Sequence, residues 1–486
     1  MMKKLSTSTF FLGIYLLAFV VSACGQPASN GNTSTVAFPL KASANNRYLV
    51  DQNNKPFPIL GRTSWFIISQ SEADYKFYLD NTLAKGFNSI EMLMITHDPR
   101  GSHPPFNGDG DMPFLKQLDG SHWKGSLVYN DIELEAPDLT TPNEEYWRYL
   151  DSFLMYCESK GILVFAFPAY VGYVGTDQGW MEVLIANGRK KCESYGAWVA
   201  NRYKNHKNIV WMLLGDMGYY TISQRNAEAA LIRGLKSVSG QQSIFYSSEA
   251  SSGQNSTDSK DFGKDINLNG TYDWGYRSIA ALGRKAYSHD PTIPAFLLEE
   301  PYDEEGPDGN SVNPNAIQPV RRYQWWGWLS TIGGYIAGNG YVWPFVDPWK
   351  KHLDTPGATD MQRLNGFIRS VPWWELVPSG LGGMKNLIVS GGGEETEANY
   401  VTAAATTSGS LLIAYLPPAH DKTIAVNTSG MGKKLVASWF DPTNGKYINI
   451  PGSPFTNTGE FKFTQENSNS RGEKDWVLVL SSEKSR

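Results

Sequence analysis

Cysteine is scarce in this chain: Cys24, Cys157 and Cys192 are the three among 486 residues. That is too few for a disulfide framework at this length. No Cys/His spacing suits a metal, and the sequence calls for no metal or cofactor. Residues 107–111, NGDGD, alternate oxygen-bearing side chains but lack the following glycine and terminal Glu of a calcium loop, so they read as a solvated loop. A basic excess is missing too. The formal net charge of −5 argues against a nucleic-acid partner, which would favour a concentrated basic face. Beyond the first residues no apolar run could cross a membrane. There is no GxSxG elbow and no Ser/His/Asp set, which weighs against an esterase or a lyase.

What is present begins with an export signal. MMKK is a basic n-region, FFLGIYLLAFVV an apolar h-region too short to span a bilayer, and VSAC closes it. VSAC resembles a bacterial lipobox, in which Cys24 is acylated and becomes the mature N-terminus. An ordinary signal peptide ending at Ala23 is the alternative. Residues 24–37 then form a polar tether, so the expected location is the bacterial cell envelope, periplasmic or at the outer-membrane surface, with membrane contact through the lipid alone. Cys157 and Cys192 fall on apolar stripes of expected helices and read as buried thiols, with a disulfide the other possibility.

Residues 38–378 alternate apolar runs with helical patterns. Ser71 with Asp74 three residues on opens a helix whose apolar face is Tyr75, Tyr78, Leu79 and Leu83, and Gly86 closes it. Eight runs read as strands: PFPILG, FNSIEMLMI, ILVFAFPAY, NIVWMLLGD, SIFYSSEA, INLNGTYDW, AFLLEEPY and GGYIAGNGY. Continuous apolar strands separated by helices are buried on both faces and hence parallel. The expected fold class is α/β: a TIM (β/α)8 barrel, with a doubly wound sheet as runner-up. Residues 379–486 carry short alternating strands between Gly- and Asn-rich turns, the pattern of a small C-terminal β-sandwich.

In a barrel the reactive groups project from the C-terminal strand ends. Acidic endings occur on the fourth strand (Asp216), the sixth (Asp273) and the seventh (Glu299 and Glu300). A single such acid is usually a helix cap or an ion-pair partner. Two on strands four and seven match the acid/base and nucleophile of a retaining glycosidase, whose carboxyl groups lie roughly 5–5.5 Å apart. Trp65, Glu91, His97, Tyr170, Tyr272, Asp273, Asn339 and Trp343 also lie near strand ends. Trp65 or Trp343 would stack on a sugar, Tyr272 would hydrogen-bond the nucleophile, and Glu91 or Asp273 would grip hydroxyls; a structural role is the alternative for each. The 16 Trp and 25 Tyr admit the same two readings, core or sugar platform, and composition favours core.

The motifs NNKPFPILGRTSW, KGFNSIEML, TPNEEYWRYLDSF, NRYKNHKNIVWMLLGD, EEPYDEE and GGYIAGNGYVW, in this order, resemble the apiosidase-like glycoside hydrolases, the group containing glycoside hydrolase family 140. The end of the chain, ASWFDPTNGKY through DWVLVL, resembles the collagen-binding-type sandwich often appended there. The resemblance implies a glycosidase acting on an oligo- or polysaccharide, with Glu300, directly before Pro301, as nucleophile and Asp216 as acid/base. Glu299 would then face the surrounding helices. Three departures stand out: Arg62 where the family has Asp, Leu214 where it has a second glycine, and no histidine in YSSEASSG. They are expected near the pocket and leave the sugar open. The rival reading is a non-catalytic glycan- or matrix-binding surface lipoprotein.

Overall fold

The computed structural model describes residues 36–126, 136–173, 178–216, 220–242, 245–273, 278–299, 301–305 and 317–482. Cys24 and Glu300 lie outside the described residues. Eight strands form the barrel: β1 Ile59–Thr63, β2 Ser89–Leu93, β3 Leu163–Phe167, β4 Ile209–Leu213, β5 Tyr246–Ser248, β6 Asn269–Tyr272, β7 Ala295–Glu299 and β8 Gly334–Ala337. They pair in parallel from β1 to β5 and from β6 to β8, and β8 returns to pair with β1. The ladder is open between β5 and β6. Ser256 fills the seam, donating to the Ser248 carbonyl and accepting from the Gly270 N–H at 3.0 Å. The backbone N–H groups of Asn267 and Leu268 reach the Tyr246 carbonyl lower down.

Among the described residues seven α-helices surround the strands: α1 Glu72–Ala84, α2 Glu144–Ser159, α3 Met181–Tyr203, α4 Ile222–Ser237, α5 Ile279–Tyr287, α6 Ile317–Thr331 and α7 Pro356–Ser370. Their starts follow local chemistry. The Ser71 side chain accepts from the Asp74 N–H, and Thr221 and Gln224 form a full capping box. Helices α3 and α4 touch backbone to backbone: a Cβ on Gly196 would lie 2.3 Å from the Leu231 carbonyl oxygen, and one on Gly234 would lie 2.1 Å from that of Glu193. Cys157 and Cys192 are buried free thiols on α2 and α3. Among the described residues no helix is long and apolar enough to cross a membrane.

The chain then forms two antiparallel sheets. One runs in the order Leu376–Pro378, Thr402–Thr406, Leu411–Leu416, Trp476–Ser482, Lys434–Phe440 and Tyr447–Asn449; the other is Ile388–Ser390, Thr423–Asn427 and Glu460–Thr464. Leu412, Leu416, Ile424, Val426, Phe463 and Leu478 fill the space between them. The outer face of the larger sheet packs on α6, whose Trp325 stacks on Tyr415 with ring centroids 5.7 Å apart. Arg321 of α6 is fully buried and pairs with Asp360 of α7 and, two-pronged at 2.7 Å, with Asp475 of the sandwich. Trp325, Trp326, Trp328 and Trp373 share one buried cluster with Ile413, Tyr415 and Phe440 of the sandwich.

Candidate active site

The C-terminal mouth of the barrel gathers carboxyl groups. Glu91 on β2, Glu249 just past β5 and Glu299 at the tip of β7 are all buried, with carboxylate oxygens within 4.8 Å of one another. Asp216, three residues beyond the Leu213 that ends β4, is half-buried beside them and within hydrogen-bonding reach of Glu249, Tyr170 and Tyr272. Burial pushes the Asp216 carboxyl up. Hydrogen bonding with Glu249, Tyr272 and Tyr170, and the charge of Arg100, pull in the other direction without cancelling it. Glu249 is held well above the usual carboxylate range by burial and then by the charges of Asp216 and Glu299. Glu91 is raised by burial and by Glu249 and Asp216. Acids packed this closely cannot all be ionised, so at neutral pH the mouth carries protons that can be donated.

Backbone geometry puts Glu299 there. Phe296 and Leu298 point into the barrel, Phe296 with its ring 5.3 Å from that of Phe165, while Leu297 packs outward against Gly327 of α6. Simple alternation would send Glu299 outward with Leu297. Instead the β6–β7 register shifts: Thr271 pairs with Leu297 but Tyr272 pairs with Glu299. This bulge swings Glu299 to the mouth. There it accepts from Trp65 Nε1 at 3.2 Å, and the same indole lies 2.7 Å from the Tyr302 hydroxyl. The expectation that Glu299 faces the helices is thereby corrected.

The other candidates divide. Trp65 packs between Phe167 and Tyr170, centroids 5.4 and 6.1 Å away, and its N–H steadies the β7 tip. Tyr272 reaches Asp216, which follows β4; the bond expected between Tyr272 and the nucleophile Glu300 lies outside the described residues. His97 is buried edge-on to Trp180. Trp343 stays half-buried, with the Arg100 guanidinium 4.9 Å above its ring, while Arg100 pairs with the buried Asp98. Two candidates are taken up by structure. Asp273 accepts from Ser252 Oγ and from the Ser278 N–H before α5. Asn339 donates to Asp303 and Glu304 and accepts from the Tyr341 and Val342 N–H groups.

The family departures resolve differently. Arg62 is buried against α1, donating to Asn81 at 3.0 Å and Thr82 at 3.4 Å, with Tyr78 and Phe87 under its guanidinium. It faces the helix layer, not the pocket where it was expected. Leu214 sits at φ 65°, a left-handed conformation that costs a branched side chain about 1 kcal/mol or more and that glycine adopts freely. Glu249 occupies YSSEASSG, the stretch noted above for lacking a histidine. It went unrecognised there, although it is an acid ending an apolar run just as Asp216 is.

A parallel barrel with a proton-holding carboxyl cluster at its C-terminal mouth is the framework of glycoside hydrolases. The family comparison makes the assignment specific: residues 43–375 match the model described as "Apiosidase-like, catalytic domain", and residues 385–481 match "Putative collagen-binding domain of a collagenase". The chain belongs to the apiosidase-like family and is a glycoside hydrolase. Solved structures agree on the fold. One named "Glycoside hydrolase" aligns at TM-score 0.72 and 20% identity over 93% of this chain and 98% of its own. A glycoside hydrolase family 5 protein from Bacteroides vulgatus ATCC 8482 aligns at TM-score 0.71 and 20% identity over 92% and 95%. No curated protein matches the chain.

Proposed function

We propose that this glycoside hydrolase is a lipid-anchored, exo-acting, retaining enzyme of the bacterial cell envelope that removes a sugar from a polysaccharide side chain. Asp216 is its acid/base, Glu300 its nucleophile and Cys24 its lipid attachment point. The observation that carries the reading is the Asp216 carboxyl just past the end of β4, raised by burial and linked through Glu249 to the Glu299 carboxyl at the tip of β7. The exo mode rests on the family likeness. In the first step Glu300 bonds to the anomeric carbon while the C–O bond to the leaving group breaks and Asp216 protonates the departing oxygen. In the second, Asp216 takes a proton from water, which attacks the same carbon and releases Glu300. Tyr170 and Tyr272 hold Asp216 in place, and half-buried Trp343 offers a sugar-stacking face.

The test compares Glu300→Gln with Glu299→Gln on the glycan that purified protein cleaves in a plant and algal screen. Glu300→Gln should abolish turnover, and azide should restore Glu300→Ala with a product of inverted anomeric configuration. Glu299→Gln should remain measurably active. A dead Glu299 variant beside an active Glu300 variant would move the nucleophile one residue back, onto the side chain that the bulge turns inward.

A further inference from the structure

Glu249 has surroundings that a charged carboxylate could not tolerate. Its side chain is 1% exposed, and among the described residues neither of its oxygens meets an N–H or hydroxyl donor. What lies beside it are two other carboxyls: Glu299, whose oxygen falls within 4.8 Å of its own, and Asp216, whose charge also raises it. Contact between two carboxyls is a hydrogen bond only if one of them carries a proton. Two protons spread over these three groups satisfy both contacts and leave a single negative charge.

We propose that Glu249 is a neutral carboxylic acid that positions the acid/base, its one O–H donating to Glu299 while Asp216 is protonated and turning to Asp216 once that residue has released its proton. In the first state Asp216 donates to the Glu249 carbonyl oxygen, and the negative charge rests on the β7 side. When Asp216 transfers its proton to the leaving group it becomes a second carboxylate, and the Glu249 O–H turns to this new charge while Glu299 keeps the N–H of Trp65. No proton leaves Glu249 in either step. Among the described residues, the other charged or titratable groups facing this assembly are Glu91 of β2, Tyr170 after β3, Tyr220 before α4, Tyr272 of β6 and Arg100 of the loop after β2. Glu91 is itself buried without a donor, so it adds to the pressure toward neutrality. The inference rests on the acid/base role proposed for Asp216.

Glutamine copies a neutral glutamic acid, with one acceptor and a donor in the same places, whereas leucine keeps the volume alone. Glu249→Gln should hold kcat/KM within about tenfold of wild type with an unmoved basic limb. Glu249→Leu should lose about 10- to 100-fold, the worth of one hydrogen bond to a charged group. Its basic limb should shift to higher pH, because the Asp216 carboxylate has lost a donor. Glutamine as damaging as leucine would overturn the proposal, since it would mean that the charge on Glu249 is needed. A divalent cation that raises the melting temperature of wild type but not of Glu249→Gln would overturn it too, placing a metal where the proton is inferred. Difference infrared spectroscopy gives a readout independent of turnover. A protonated-carboxyl band present at neutral pH in wild type and missing from Glu249→Gln supports the neutral acid even if no glycoside is cleaved, and its absence from wild type refutes it.

Discussion

Glu228 lies on α4 beneath the end of β4, fully buried, and its carboxyl is pushed up to about 8 by burial. The backbone N–H of Leu214 approaches it without the alignment of a full hydrogen bond. An acid raised in this way binds a proton in the folded protein that the unfolded chain has already released. Stability therefore falls as pH rises from the ordinary value of 4.5 toward about 8, then levels off. At about 1.4 kcal/mol per pH unit across that window, folding loses about 3 kcal/mol by pH 7 and about 4 kcal/mol by pH 8. Glu228→Gln removes the titration and keeps an acceptor facing Leu214. The variant should match wild type near pH 4.5 and exceed its stability by about 3 kcal/mol at pH 7, an upper figure because a buried site relaxes around a charge. Urea unfolding of both proteins at pH 5, 7 and 8, followed by tryptophan fluorescence, measures the difference. The other buried acids are common to both proteins and cancel. A stability difference that stays constant with pH would show that Glu228 is not the titrating group and would refute the reasoning.

Asp216→Asn should lose about 10²- to 10⁴-fold on natural glycosides and much less on activated aryl glycosides, whose leaving groups need little protonation; equal losses on both would remove Asp216 from the acid role. Arg321→Leu should destabilise the protein by about 3–5 kcal/mol, because it strands the buried Asp475 carboxylate at the contact between barrel and sandwich. Calorimetry should then resolve separate transitions for the two domains, and an unchanged single transition would contradict that account. Cys24→Ser should leave the protein unprocessed or soluble in cell fractionation, and normal membrane attachment would refute the lipobox reading.

Much of the architecture was legible because it depends on local rules. Apolar runs of about five residues between amphipathic helices specify parallel strands buried on both faces. Ser71 and Thr221 mark helix starts through hydrogen bonds to residues only three positions away. The short alternating strands after residue 378 separate sandwich from barrel for the same reason. Asp216 was legible because it follows a strand closely enough for its place at the mouth to be read from the run before it. The layer that Arg62 and Asn339 face was not legible, because position near a strand end does not say which way a side chain points. Arg62 meets α1, and Asn339 meets the loops carrying Asp303 and Tyr341.

By itself the sequence determined the order of elements, the two domains, the family and the fourth-strand acid, all of which follow from hydrophobic period, capping and motif. Only the tertiary structure decided which carboxyls share the mouth. The direction of Glu299 depends on a register shift between β6 and β7, strands far apart in sequence, so alternation counted along β7 alone gives the wrong face. Glu249, Asp216 and Glu299 come together because three separate strands end at one rim. Their protonation follows from that crowding: in a buried site the energy of one charge depends on how near the next one lies, and that distance is set by the barrel as a whole rather than by any segment of chain.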